Sequence, residues 1–137
     1  MTDRSSDHHA VLRPGIGAAC EVALMIDDPS SRDLDDAFTV NTVDGGWRVH
    51  VFIAAAADLI PSGGSEDARA RDRVESKYLP HKTIPMLGER IEQAATLSAR
   101  EQRSALSISA DVDTAGNSTK VTVSRVTLPA ASCVRLS

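Results

Sequence analysis

Two runs of alternating residues joined by a tight turn fix more of this chain than any other feature. Phe38, Val40 and Thr42 alternate with their neighbours, Asp44-Gly45-Gly46 supplies a turn, and Trp47, Val49, Val51 and Ile53 resume the alternation. A two-residue period belongs to a strand, and two such runs around a glycine-rich turn predict a β-hairpin. The first strand begins at Asp36, so the hairpin is a rigid support for whatever comes just before it.

What comes before it is the stretch from Met25 to Phe38, which carries Asp27, Asp28, Asp33, Asp35 and Asp36 between two apolar runs. Ala23 to Ile26 reads as a short buried strand, and Pro29 turns Asp28 away from helical geometry, so the acids leave a strand end into an extended loop. Two carboxylates about 5 Å apart repel by roughly 3 kcal/mol at an effective dielectric near 20. If Asp27, Asp33, Asp35 and Asp36 converge in a cleft, a cation must sit among them, and all-oxygen ligation favours Mg²⁺ or Mn²⁺. If they point outward, the segment is a solvated acidic loop. A calcium loop starting at Asp33 is excluded, because Ala37 and Phe38 occupy its fifth-position ligand and its sixth-position glycine.

The remaining elements follow in order. Residues 1–17 read as an N-terminal tail and lead-in loop, with order beginning near Ala18. Ser65 is a candidate N-cap for a surface helix from Glu66 to about Lys77, with Asp67 and Arg71 paired one turn apart. The cluster Arg69, Arg71, Arg73, Lys77 and Lys82 is either a solvated face or a set of phosphate contacts. Tyr78 to Leu87 reads as a proline-punctuated loop, followed by a helix from Glu89 to about Leu97. Leu106, Ile108, Ala110 and Val112 predict a strand, Asp113 to Asn117 a turn, and Val121 and Val123 a partner strand that Pro129 ends. The apolar phase shifts at Val126 and Leu128, which suggests a bulge. The fold class is α+β, a mostly antiparallel sheet built from two hairpins with two short helices.

With 137 residues the chain fits one domain, but aromatics are only 3% and alanine fills much of the 42% hydrophobic fraction, so the core is thin. A net charge of −4 excludes blanket phosphate neutralisation, so nucleic acid would have to be held locally. Cys20 and Cys133 have no metal-ligand or redox spacing and are expected as reduced thiols. The polar N-terminus lacks a secretory pattern and no apolar run reaches membrane-spanning length, so the expected location is cytoplasmic, without membrane contact.

Three blocks then stand out together. Ile26-Asp27-Asp28-Pro29 runs into Arg32-Asp33-Leu34-Asp35-Asp36-Ala37; Tyr78-Leu79-Pro80 precedes Ile84-Pro85-Met86-Leu87; and Arg103 precedes Ala105-Leu106-Ser107. In content and order they resemble the RNB catalytic domain of the bacterial ribonuclease II and ribonuclease R family. The resemblance implies an RNB-like fold over residues 18–137 and hydrolysis of single-stranded RNA from its 3′ end, releasing nucleoside monophosphates. It also implies a Mg²⁺ (or Mn²⁺) cofactor, with Asp27, Asp33, Asp35 and Asp36 as the catalytic and metal-site acids and Tyr78 as the aromatic that stacks on the terminal bases. Arg69, Arg73, Lys77 and Lys82 are the candidate RNA-phosphate contacts.

The departures are specific. Ala55 stands where the family usually has an aspartate, Ala95-Thr96-Leu97 replaces Cys-Ser-Leu, and Gly88 replaces a proline. The match covers only the opening part of the catalytic domain. The expectation is therefore an RNB-type domain fragment whose activity alone is weak or partner-dependent. The alternative is a non-catalytic RNA-binding or protein-interaction remnant, with a partner chain or a second copy covering the face left by the missing half.

Overall fold

The computed structural model describes residues 10–11 and 22–136. Nine strands are described, seven of them in one sheet. In chain order these are β1 (Ala10–Val11), β2 (Ala23–Ile26), β3 (Asp36–Val43), β4 (Gly46–Ala54), β5 (Lys77–Leu79), β6 (Lys82–Ile84), β7 (Arg103–Asp113), β8 (Ser118–Leu128) and β9 (Cys133–Leu136). The large sheet runs β1-β8-β7-β4-β3-β2-β9, and β5 and β6 form a separate two-stranded ribbon. Pairing is antiparallel except at β1 with β8 and β2 with β9. A 3-10 turn at Ala56–Leu59 and helices α1 (Ser65–Arg73) and α2 (Glu89–Ala95) complete the α+β architecture.

Both expected hairpins form. Phe38 lies opposite Val51 and Thr42 opposite Trp47, while Ile108 on β7 lies opposite Val123 on β8. Paired residues share a face of the sheet, so register separates two faces. The inner face carries Ala37, Phe52, Ala105, Val126 and Leu128 with Ala23, Met25 and Cys133, and Leu97 closes over them. Phe52 is only 3% exposed, whereas Val40 on the other face is 51% exposed and Val123 66%. The alternating aliphatics that register the hairpins thus lie on the more open side. The core is alanine-rich, as the composition implies.

Several elements differ from the sequence reading. Helix α1 stops four residues early, at Arg73, because Val74 takes a left-handed φ of 68° and its N–H returns to the Ala70 carbonyl. Gly64 occupies the N-cap position, and the Asp67 carboxylate accepts the Gly63 N–H at 2.7 Å while holding Arg71 at 3.2 Å. The segment from Tyr78 is no loop: Pro80 sits in the turn between β5 and β6, where its missing N–H costs nothing. Helix α2 ends at Ala95, two residues short of the expected Leu97.

The register shift in β7–β8 lies between Ser109 and Asp111, next to Lys120 at φ 50°, and not at Val126. Val121 and Val123 face outward and Val126 and Leu128 inward, so the apparent phase change is a change of buried face on a regular strand. Strand β8 ends at Leu128 before Pro129 as expected, but the chain then returns as β9 beside β2. Ala10–Val11 of the expected tail is a strand; Ala18, Cys20 and the other tail residues lie outside the described residues. Cys133 is a free thiol, and burial raises its pKa. Among the described residues, no helix is long and apolar enough to cross a membrane.

A Cβ on Gly46 would lie 2.0 Å from the Val112 carbonyl oxygen, while one on Gly45, at φ +81°, meets nothing within 4 Å. Gly45→Ala is therefore expected to cost about 1–2 kcal/mol for the left-handed backbone alone. Gly46→Ala should cost about 3 kcal/mol or more because β4 must move away from β7. Urea unfolding of the two variants checks the order, and equal losses would refute the close approach.

Candidate functional site

The acids sit where β2 and β3 leave the sheet. The Asp28 carboxylate takes the Ser30 N–H at 2.8 Å and the Ser30 hydroxyl at 2.5 Å, while Ser31 N–H bonds the Asp28 carbonyl. These bonds, the hydroxyl first, hold the Asp28 carboxyl below its usual range. Asp28 is thus spent on the turn, and its carbonyl also receives the Arg135 guanidinium from β9.

The centre of the loop is pinned at Leu34. Its N–H donates to Thr96 Oγ1 at 2.7 Å, the Thr96 hydroxyl donates back to the Leu34 carbonyl at 3.3 Å, and the Leu97 N–H donates to that carbonyl at 2.7 Å. The Leu34 side chain packs against the core. On its C-terminal side the Asp35 carbonyl accepts the Ala54 N–H at 2.8 Å. A partly buried leucine thus sits between Asp33 and Asp35 in the chain.

The electrostatics are those of a crowded anionic loop. Burial, followed by the charges of Asp33, Asp36 and Asp27, pushes the Asp35 carboxyl above its ordinary value. Asp27 Oδ2 is buried with no hydrogen-bond partner. Asp36 opens β3, opposite Ile53, and is exposed. As the side chains stand, no three acids, histidines or cysteines among the described residues are close enough to hold one ion. Ala55, at the family's usual aspartate position, is buried and adds no carboxylate.

Tyr78 comes to this loop from the β5–β6 ribbon. Its ring is 72% exposed and its hydroxyl reaches to 3.5 Å from Asp33 Oδ2. Desolvation of the hydroxyl, then the Asp33 and Glu92 charges, raise its pKa. Glu92 is a participant that the sequence did not single out. It lies on α2, its Oε1 is 3.4 Å from the Ser76 hydroxyl, and desolvation followed by Asp33 raises its pKa. Only its place on a helix was legible beforehand, not the loop that the helix faces.

The basic candidates are not brought to the acids as a group. Lys77 pairs with Ile84 and Leu79 with Lys82, whereas Tyr78 pairs with Thr83, so Lys77 and Lys82 lie on the ribbon face opposite Tyr78. The Arg73 guanidinium bonds the carbonyls of Pro85 and Met86 at 3.0 and 3.3 Å, tying α1 to the segment after the ribbon. Arg69 is exposed on α1.

Comparison with known proteins adds a lineage to this geometry. The family profile described as "RNB domain" matches residues 20–132. Exoribonuclease 2 of Actinobacillus pleuropneumoniae is 37% identical over 100 residues, covering 69% of this chain and 15% of the relative. The chain therefore spans about a seventh of that relative's length. RNase R of Mycoplasma genitalium, solved in complex with ribose-methylated single-stranded RNA, superposes with a TM-score of 0.82 over 95% of this chain and 20% of its own, at 23% identity. A yeast pseudonuclease superposes with a TM-score of 0.72 over 83% of this chain and 14% of its own, at 19% identity. At these identities the two superpositions speak for the fold.

The raised pKa of Asp35 has a sign that can be measured. Its folded value lies above the ordinary 3.8, so its charge opposes folding. The stability associated with the protonated form is complete below that value and is lost as pH rises through the folded pKa. Asp35→Asn is expected to raise the thermal midpoint near neutral pH in chelated buffer, and the gain should vanish below a pH of about 3.8. Thermal unfolding of parent and variant across pH checks it; a variant no more stable at neutral pH would contradict it.

Proposed function

Because this chain belongs to the RNB domain family, we propose that it carries the acid half of a metal-dependent 3′-to-5′ exoribonuclease site acting on single-stranded RNA. The observation that carries the reading is the acid loop itself. Four aspartates share one field, Asp27 Oδ2 is buried without a partner, and Asp35 is raised first by burial and then by the charges of Asp33, Asp36 and Asp27. That donor set fits a hard divalent cation, Mg²⁺ or Mn²⁺. Asp27, Asp33, Asp35 and Asp36 would hold it, with rotation of side chains about a loop whose backbone is already fixed at Leu34. When bound, such an ion polarises a phosphoryl oxygen and lowers the pKa of water.

The chain's own residues supply positioning. The exposed Tyr78 ring lies beside Asp33 and offers a face on which a terminal base can stack, worth about 1–3 kcal/mol without reading sequence. Of the candidate phosphate contacts, Arg73 is committed to backbone carbonyls and Lys77 and Lys82 turn away from Tyr78. A phosphoryl site needs cationic stabilisation of developing charge, and its loss costs about 3–4 kcal/mol per missing group. Activity of these residues alone is accordingly expected to be weak or to depend on a partner.

A second reading has an observation of its own. The outer face of the sheet exposes Ile26, Val40, Ile53, Ile108, Val123 and Val134, branched aliphatics of a kind that marks interaction sites. This favours a non-catalytic, RNA-binding or protein-docking module completed by a partner chain or by self-association. The pseudonuclease with the same fold is consistent with either reading.

The assay uses 5′-labelled single-stranded RNA with Mg²⁺ or Mn²⁺, and Asp36→Asn in parallel. A ladder shortening from the 3′ end in the parent and absent in the variant is the expected result, and Tyr78→Ala should weaken single-strand binding by about tenfold with little effect on duplex binding. Cleavage that survives Asp36→Asn, or equal losses for both RNAs, would contradict the assignment. No cleavage together with a mass that rises with concentration in sedimentation would favour the docking module.

A further inference from the structure

Helix α2 works through its C-terminus. Thr96, the residue that caps it, has already left helical geometry at φ −51° and ψ 135°, while its N–H still bonds the Glu92 carbonyl at 2.8 Å. The helix end therefore fixes where the Thr96 hydroxyl lies. That hydroxyl spends both of its capacities on a residue 62 positions away, accepting the Leu34 N–H at 2.7 Å and facing the Leu34 carbonyl at 3.3 Å. Thr96 is itself held from behind: its carbonyl accepts Arg103 Nε at 2.9 Å, and the same guanidinium pairs with Glu101 at 2.6 Å.

The same helix reaches toward the Tyr78 ribbon. Glu92 contacts the hydroxyl of Ser76, two residues before Tyr78, and Ser76 Oγ accepts the Met86 N–H at 2.9 Å just beyond β6. One short helix thus contacts the acid loop through Thr96 and the base of the aromatic ribbon through Glu92. Of these contacts only the one at Leu34 lies between two of the aspartates; the Thr96 hydroxyl takes the Leu34 N–H and shares the Leu34 carbonyl with the Leu97 N–H, which bonds it at 2.7 Å.

We propose that Thr96 is a positioning residue for the divalent-cation site: by holding the N–H of Leu34, and with the Leu97 N–H its carbonyl, it fixes the backbone that carries Asp33 and Asp35, so that only their side chains turn to meet the ion. The inference rests on the reading of the aspartates as the cation-binding acids. Thr96 does not touch the ion; it acts through Leu34. Partners of this kind behind a set of metal ligands typically govern affinity by about ten- to a hundredfold.

The test titrates Mn²⁺ into the purified protein and reads free Mn²⁺ by electron paramagnetic resonance. Thr96→Val keeps the shape and removes the hydroxyl, and Thr96→Ser keeps the hydroxyl. The expected result is Mn²⁺ binding about ten- to a hundredfold weaker in Thr96→Val and close to the parent in Thr96→Ser. Equal affinity in Thr96→Val and the parent, or equal weakening in both variants, overturns the proposal while leaving the acid loop as a cation site. A parent that binds no Mn²⁺ overturns the cation reading itself. Amide hydrogen exchange on the parent tests the proposal without any variant. The Leu34 amide should be protected already in chelated buffer, and protection that arises only on adding Mn²⁺ would show that the ion, not Thr96, orders the loop.

Discussion

Like charges gathered on one loop have to be held there by something neutral, and here that is Leu34. Two carboxylates about 5 Å apart repel by roughly 3 kcal/mol at an effective dielectric near 20. Against this stand the backbone bonds at Leu34, worth about 1 kcal/mol each, and the packing of its side chain on the core, worth about 1.5–3 kcal/mol if fully buried. These terms are of similar size, so the loop keeps its backbone while its carboxylates remain in conflict. Asp27 Oδ2 is buried without a partner, and burial first, then the neighbouring charges, raises Asp35.

The rest of the molecule is arranged around this loop. Strands β2 and β3 deliver its two ends, β4 ties Asp35 through Ala54, and β9 brings Arg135 against the Asp28 carbonyl. Helix α2 approaches from the other side. The inner face of the sheet is closed by small residues and a few large ones, Met25, Phe52 and Leu97. The outer face, with its branched aliphatics open to solvent, has no counterpart layer among the described residues. Exposed branched aliphatics on one sheet face are the kind of surface that marks interaction sites.

What could be read from the sequence was what local chemistry decides. The Asp44-Gly45-Gly46 turn and the alternation around it gave the hairpin and its register, because side-chain period and turn type act over a few residues. The acid loop and Tyr78 could be singled out by residue type and by resemblance. The choice of buried face could not, since Ala37 and Phe52 face a core that residues from distant segments, Leu97 among them, complete. The β5–β6 ribbon was hidden by Pro80, which reads as a breaker yet occupies the turn. Strand β9 is four residues long and its partner lies more than a hundred positions earlier. Thr96 and Glu92 were invisible for the same reason: nothing local to an Ala-Thr-Leu or a helical glutamate announces a partner 62 residues off or on a ribbon not yet recognised.

The most direct test of the account is anomalous scattering from crystals grown with Mn²⁺. The account predicts a peak bounded by the carboxylates of Asp27, Asp33, Asp35 and Asp36, with the Leu34 backbone where it now lies and its bonds to Thr96 and Leu97 intact. Absence of any peak at the loop under saturating Mn²⁺, or a peak there only with the Leu34 bonds broken, would contradict it.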